Sequence, residues 1–182
     1  MTSRNQSGVD PDTESTAWLW YRRVVGTPRL FVQAGVPWRL LFRERVAGLV
    51  SDLTETVTGW EGVSPAPHRY GGVEFRFEGR ELGHIHDWGL VDLPLARPLR
   101  DAVVECSLAH PHHVLPDSGW VSTFLATDGD LDRVVTLFEL AHIWTRQTVT
   151  GDAHQPRVAS LSAPTAVRES LREHGRTVSG TG

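Results

Sequence analysis

The sequence contains no lysine: all eighteen basic residues among its 182 are arginine. Enzymes that form a Schiff base through lysine and nucleotide-binding proteins that use a Walker lysine are therefore excluded. Cys106 is the only cysteine. An intrachain disulfide is therefore excluded, and so are metal centres built from several thiolates.

Long hydrophobic runs are also missing. No segment approaches the roughly 20 apolar residues of a membrane-spanning helix, and charged residues interrupt the densest apolar stretch, residues 38–50. Residues 1–14 are polar and lack the apolar segment of a signal peptide. We therefore expect a cytoplasmic protein without a membrane span. The formal net charge of −4 argues against nucleic acid as a partner.

The chain is long enough to bury one hydrophobic core. Apolar residues at helical spacing predict helices over residues 37–58, 97–106 and 128–147. A period of two predicts strands over residues 60–63, 73–77, 81–86, 90–95 and 120–126. This order predicts a single α+β domain in which helices flank an antiparallel sheet. The same order is similar to the double-wing arrangement of frataxin-like and YjbR-like proteins.

The most informative stretch runs from Glu81 to Asp87 and encloses His84 and His86. Alternation along a strand places the two histidines on one face, where both imidazoles can reach a common ligand. Glu81 and Asp87 fall on the opposite face. A β-bulge, or a partner from another strand, is therefore required for a carboxylate to contact these histidines. Asp92, in an apolar strand, is a further candidate to orient an imidazole.

A second cluster follows the helix predicted over residues 97–106. It contains His112, His113, Ser118 and Trp120. We expect this cluster to meet the first one in a single pocket, with Trp120 as part of an aromatic wall. Ser118 lies between an aspartate and a glycine, which is common in turns and lacks the pattern of a nucleophile elbow. A hydrolase is therefore not predicted.

Residues 38–147 resemble the fungal luciferase-like domain family, which is named for the luciferase of bioluminescent fungi. The runs that carry the resemblance are Trp60–Val63, Gly71–Phe75, Glu81–His86, Leu90–Pro94 and His112–Val121. The fungal enzymes share the Glu-x-x-His-x-His-Asp pattern that begins here at Glu81. They also keep a histidine that matches His113 and a tryptophan that matches Trp120.

The resemblance implies an oxygenase, an oxidoreductase that adds molecular oxygen to an enolisable or phenolic small molecule without metal or flavin. It does not imply light emission. His84, His86 and His113 are then expected to be catalytic, because an imidazole titrates near neutrality and can act as the base. The residues expected to bind or orient the substrate are Glu81, Asp87, Asp92, His112, Ser118 and Trp120. The expected partners are the small-molecule substrate and oxygen, and no cofactor is expected.

Two other functions fit the same residues. The domain could bind a small molecule without catalysing a reaction. Alternatively, His84, His86 and His113 could hold the metal of a dioxygenase, because His-x-His is a ligand pair of cupin-like sites. Against the metal, no carboxylate follows at cupin spacing, and the sequence lacks the regular short strands of a jelly roll.

The predicted organisation of the chain has four parts. Residues 1–14 form a disordered tail, and residues 15–36 form a helical extension. Residues 37–147 form the luciferase-like domain. Residues 148–182 form a flexible C-terminal tail, in which residues 164–174 could form a short helix. The sequence does not define an oligomeric state.

Overall fold

The computed structural model describes residues 38–151 and 155–179. From Arg39 onwards the chain forms one compact unit. The predicted tail over residues 1–14 and the predicted extension over residues 15–36 lie outside the described residues. None of the described helices combines the length and the apolar character needed to cross a membrane.

Six strands form one antiparallel sheet, with five helices in the described part of the chain. The strands are β1 (Val63–Pro67), β2 (Val73–Phe77), β3 (Arg80–Ile85), β4 (Leu90–Pro94), β5 (His110–Pro111) and β6 (Trp120–Phe124). The helices are α1 (Trp38–Thr58), α2 (Arg97–Glu105), α3 (Asp128–Thr150), α4 (Gln155–Ser160) and α5 (Thr165–Ser179). The order across the sheet is β1-β2-β3-β4-β6-β5. This architecture confirms the predicted α+β domain with helices beside an antiparallel sheet.

One face of the sheet is apolar and packs against α3. The fully buried side chains on this face include Phe75, Ile85, Val91 and Val121. The ring of Phe138 on α3 meets the ring of Phe75 edge-on, with their centroids 5.1 Å apart. Burying one such side chain contributes roughly 2 kcal/mol. This apolar face therefore holds the sheet against the helices.

The opposite face carries a row of buried polar side chains. Paired residues of antiparallel strands share a face, and the pairs Glu74↔His84, His84↔Asp92 and Asp92↔Ser122 cross four strands. Their exposed fractions are 8% for Glu74, 7% for His84, 1% for Asp92 and 7% for Ser122. Strand pairing thus brings these residues to one level of the sheet, although they are distant in sequence.

A β-bulge interrupts the pairing of β2 with β3. Phe75 pairs with Gly83 and Arg76 pairs with Glu81, so Leu82 is the extra residue on β3. Gly83 has a φ of +149°, and a Cβ added there would lie 2.8 Å from the carbonyl oxygen of Asp92. The extra residue shifts the alternation by one position. Glu81 therefore comes to the face of His84, which a regular strand would prevent.

The first strand differs from its prediction. β1 begins at Val63 and contains Pro65 and Pro67, whereas the sequence pattern indicated a strand over residues 60–63. That prediction was wrong. β1 is an edge strand, where a missing N–H can face away from the sheet, so proline is tolerated.

The turn after β1 lies against β3. The N–H of His68 donates to the carbonyl oxygen of Gly72, and the N–H of Gly71 donates to the carbonyl oxygen of His68, at 3.1 and 3.0 Å. Gly72 has a φ of +89°, and a Cβ there would overlap the carbonyl oxygen of Ile85. Only glycine permits so close an approach in this conformation.

The predicted flexible C-terminal tail is largely helical, and the short helix considered over residues 164–174 corresponds to α5. α3 continues to Thr150, and α5 packs against α2 and α3. Val158, Val167 and Leu171 are completely buried. These apolar residues are too sparse to stand out in a polar sequence, but helical geometry places Val167 and Leu171 on one face.

Replacing Gly72 with alanine tests the packing of this turn. Gly72→Ala should lower the free energy of unfolding by about 3 kcal/mol or more, because the methyl group meets the β3 backbone and φ is positive. Gly79→Ala is the matched control, because its φ is +77° and nothing lies within 4 Å of the added Cβ. It should lose only about 1–2 kcal/mol. Urea unfolding measures both values, and equal losses would contradict the packing described.

Candidate functional site

The buried carboxylate of Asp92 lies at the centre of the polar face. Its Oδ2 atom lies 3.5 Å from Nε2 of His84 and 3.5 Å from Nε2 of His86. Its Oδ1 atom lies 3.6 Å from Nε2 of His112 and 3.5 Å from Nδ1 of His113. The hydroxyl of Ser122 donates to Oδ1 at 2.5 Å. The two histidine clusters therefore meet at one side chain; we call Asp92 and these four histidines the Asp92 cluster.

Asp92 remains ionised despite its burial. Burial alone would raise the pKa of its carboxyl group, but the hydrogen bonds from His84 and Ser122, with smaller contributions from the neighbouring imidazoles of His113 and His112, outweigh it. The net effect lowers the pKa below the usual value for aspartate. At neutral pH the centre of the cluster is therefore a negative charge.

His84 carries the compensating positive charge. Its Nδ1 atom lies 2.6 Å from Oε1 of Glu81, and its Nε2 atom faces Asp92. Burial lowers the pKa of His84, but the hydrogen bonds with Asp92 and Glu81 and the charges of these carboxylates raise it to about 9. His84 is therefore an imidazolium at neutral pH, with each N–H directed at a carboxylate.

His112 is held as a neutral imidazole with a single tautomer. Its Nδ1 atom accepts hydrogen bonds from the backbone N–H groups of Val114 and Leu115, at 3.1 and 3.0 Å. The proton must then be on Nε2, which faces Asp92. Burial lowers the pKa of His112, although Asp92 opposes this shift.

His113 is held in the opposite tautomer. The single hydroxyl proton of Ser122 goes to Asp92, so Nδ1 of His113, 3.1 Å from that hydroxyl oxygen, must donate to it. The same oxygen accepts the backbone N–H of His113 at 3.2 Å. Nε2 of His113 therefore keeps its lone pair. With 30% of its side chain exposed, His113 is the most accessible imidazole of the Asp92 cluster.

His86, like His112, is a neutral imidazole at neutral pH. Burial and the charge of His84 lower its pKa, and the opposing effect of Asp92 is smaller. Its ring stacks on that of Trp88, with the centroids 5.8 Å apart and an interplanar angle of 27°. If Nε2 donates towards Asp92, its Nδ1 atom is an acceptor.

The structure brings together most of the residues expected from the sequence. Besides the Asp92 cluster, Glu81 contacts His84, and the ring of Trp120 lies 5.8 Å from those of His84 and His112.

Two expected residues do not join this group. Asp87 is exposed and contacts no imidazole among the described side chains. The hydroxyl of Ser118 donates to the carbonyl oxygen of Leu115 and accepts the N–H of Trp120, so it shapes the loop.

Sequence reasoning missed two members of the site. Ser122 resembles any residue of a strand, and only its pairing with Asp92 reveals its role. His68 stands alone after β1, yet its ring stacks on that of His84 with the centroids 3.7 Å apart and an interplanar angle of 13°. The Gly71-Gly72 pair was the one available signal, because it indicated a close approach of the backbone.

Two groups of side chains have metal-ligating atoms within 4.8 Å of one another: His68, His84 and His86, and Asp92, His112 and His113. In the first group, the lone pairs of His68 and His84 lie in nearly parallel planes and converge poorly on one ion. In the second group, the proton on Nε2 of His112 removes the lone pair that would bind metal. Neither group therefore presents three convergent lone pairs in these tautomers.

Comparison with known families identifies part of this chain. Residues 79–141 match the family described as Luciferase domain. This segment is therefore similar to a luciferase domain. The matched segment contains Glu81 and the whole Asp92 cluster, but not His68. No curated protein and no solved structure gives a significant match, so the double-wing comparison and the boundaries 37–147 remain predictions.

The charge states around Asp92 predict how stability depends on pH. Between about pH 6.5 and pH 9 the folded chain keeps a proton on His84 that the unfolded chain loses, so the free energy of unfolding should fall as pH rises. This decrease amounts to at most about 3 kcal/mol. Below about pH 6.5 stability should fall again, because His86 and His112 have lowered pKa values and the unfolded state takes up protons first.

Urea unfolding at a series of pH values measures this profile. The control is His84→Gln, which should lose the decline between pH 6.5 and pH 9. The titratable groups around His84 are Glu81, Asp92, His68, His86 and His112. A stability that rises over this alkaline interval in the unmodified protein would contradict the assignment of His84 as an imidazolium.

Proposed function

We propose that this luciferase-like protein is a cofactor-independent oxygenase that acts on an enolisable or phenolic small molecule. The observation that supports this function best is the Asp92 cluster. In this cluster one carboxylate adjoins the charged imidazole of His84 and the imidazoles of His86, His112 and His113. A reaction without a cofactor needs a base for the substrate hydroxyl and a place to hold the proton until it returns.

His113 is the base in this proposal. Its Nε2 lone pair accepts the proton of the substrate hydroxyl, and the imidazolium that results is stabilised by Asp92 and Ser122 at its Nδ1–H. The arrangement is that of a histidine oriented by a carboxylate. His84 contributes a fixed positive charge beside the developing enolate or phenolate, and Nδ1 of His86 orients a second polar group of the substrate.

The proposed reaction adds both atoms of oxygen to the substrate. The enolate transfers one electron to molecular oxygen, and the two radicals combine to form a carbon–oxygen bond. The peroxide anion then recovers the proton from His113. One substrate and one oxygen molecule therefore yield one hydroperoxide, and no external reductant is consumed.

Exposed apolar side chains beside the histidines support binding of a small organic molecule. Tyr70, Trp88, Val114 and Leu115 are exposed by 70%, 49%, 66% and 54%. The rings of Tyr70 and Trp88 contact His68 and His86, and the backbones of Val114 and Leu115 bind His112. Apolar surface around a few converging polar groups is typical of ligand sites.

A metal-dependent dioxygenase is the second candidate, and one spacing favours it. Two ligand atoms of a tetrahedral zinc site lie about 3.4 Å apart. Nε2 of His84 and Nε2 of His86 each lie 3.5 Å from Oδ2 of Asp92. Glu81 would then orient His84 through its other nitrogen. This candidate requires His84 to lose its Nε2 proton to the ion.

Oxygen uptake with a panel of hydroxypyrones and phenols tests the proposed function. Uptake should fall by about 10²- to 10⁴-fold in His113→Ala, and it should vanish in His84→Ala and His86→Ala. The control is His174→Gln, because His174 stacks on Trp144 on the helical side of the domain. It should leave uptake unchanged. No uptake with any compound, together with saturable binding that survives His84→Ala and His86→Ala, indicates a non-catalytic binding domain instead.

Elemental analysis of protein purified without a histidine tag separates the two enzyme candidates. The cofactor-independent proposal predicts that uptake persists at less than stoichiometric metal and in the presence of a chelator. Stoichiometric iron or manganese that is lost in His86→Ala, with a parallel loss of uptake, would establish the metal-dependent candidate, because zinc has no redox chemistry with which to activate oxygen.

A further inference from the structure

We propose that His68 is a positioning residue that holds the ring plane of His84 between Glu81 and Asp92. If the proposed function is correct, this role also affects turnover, because His84 belongs to the proposed catalytic site. The contact itself exists whatever reaction the site performs, and it is tested without substrate.

The contacts at the two nitrogens of His84 leave one motion uncontrolled. Glu81 lies 2.6 Å from Nδ1, and Asp92 lies 3.5 Å from Nε2. Both partners contact the edge of the ring at its nitrogens, and neither covers the face of the ring, so tilting of the ring is restrained only weakly. A contact on the face of the ring supplies the missing restraint.

His68 makes that contact. Its ring lies 3.7 Å from the ring of His84 between centroids, at an interplanar angle of 13°. The other aromatic neighbour, Trp120, is tilted by 52° at 5.8 Å and provides a weaker restraint. A positively charged imidazole also attracts an aromatic face, which favours the stacked arrangement.

The backbone around His68 is built to hold this ring in place. Two backbone hydrogen bonds close the turn from His68 to Gly72. The turn packs directly against the backbone of Ile85 on β3, because Gly72 has no side chain to separate them. The ring of Tyr70 meets that of His68 edge-on at 5.6 Å. The stack is therefore an anchored contact between a turn and a strand.

A hydrogen bond from Nδ1 does not explain the ring at this position. Nδ1 of His68 is buried and has no hydrogen-bond partner among the described residues. An unsatisfied buried nitrogen is unfavourable, so an apolar ring would fill this position at least as well. The flat face of the ring against His84 is the feature that the position uses.

His68 also lies outside residues 79–141, the segment that matches the Luciferase domain. All the partners of His84 described so far other than His68 come from within that segment. The restraint on its ring plane is therefore supplied by a separate part of the chain, the edge strand β1 and its turn.

The test compares His68→Ala with His68→Phe by proton NMR. The hydrogen-bonded Nδ1–H proton of His84 gives a downfield signal whose exchange with water reports how firmly the ring is held. His68→Ala should speed this exchange by about tenfold, whereas His68→Phe should keep the slow exchange of the unmodified protein. Tyr70→Ala, which removes the outer neighbour but keeps the stack, should change the rate much less than His68→Ala does.

Thermal unfolding confirms that each variant is folded. If His68→Ala does not fold, His68→Gln takes its place, because it removes the ring but keeps a polar side chain of similar length. Slow exchange in the folded variant without a ring would overturn the proposal, and so would fast exchange in His68→Phe. In an active enzyme, kcat should fall in His68→Ala with little change in KM and should recover in His68→Phe. If the enzyme assay detects no turnover at all, the NMR comparison still decides the role of His68.

Discussion

The structure depends on the burial of one carboxylate. Asp92 sits on a central strand with 1% of its surface exposed, and a buried charge is tolerated only when polar partners surround it. Its partners come from β3 and the residue that follows it, from β6, and from the loop between β5 and β6. Removing Asp92 would leave the positive charge of His84 without its counterion inside the sheet. The same interaction therefore determines both the fold of the polar face and the chemistry available there.

The second nitrogen of each imidazole decides what that imidazole can do. Glu81 at Nδ1 of His84 favours a cation, whereas two backbone N–H groups at Nδ1 of His112 favour a neutral ring. Ser122 directs the proton of His113 to Nδ1 and leaves Nε2 free. One carboxylate thus adjoins imidazoles that differ in which nitrogens carry a proton. Acid–base chemistry at neutral pH requires such a difference.

Local patterns in the sequence predicted much of this arrangement. Helical spacing and alternation located α1, α2, α3 and the β2–β3 hairpin, and the histidine-rich runs predicted that two clusters meet. The contact between Glu81 and His84 could not be predicted from the sequence. It requires the bulge at Leu82, and that bulge depends on how β3 pairs with β2. Ser122 and His68 carry no pattern of their own. Their roles arise from strand register and from a turn, and both are properties of the folded chain.

The most direct test of the account is a nitrogen-15 NMR spectrum of the histidine side chains at pH 7. Chemical shifts of imidazole nitrogens distinguish the cation and both neutral tautomers. The account predicts an imidazolium for His84, a proton on Nε2 of His112 and a proton on Nδ1 of His113. A neutral His84, or a proton on Nε2 of His113, would contradict the arrangement around Asp92.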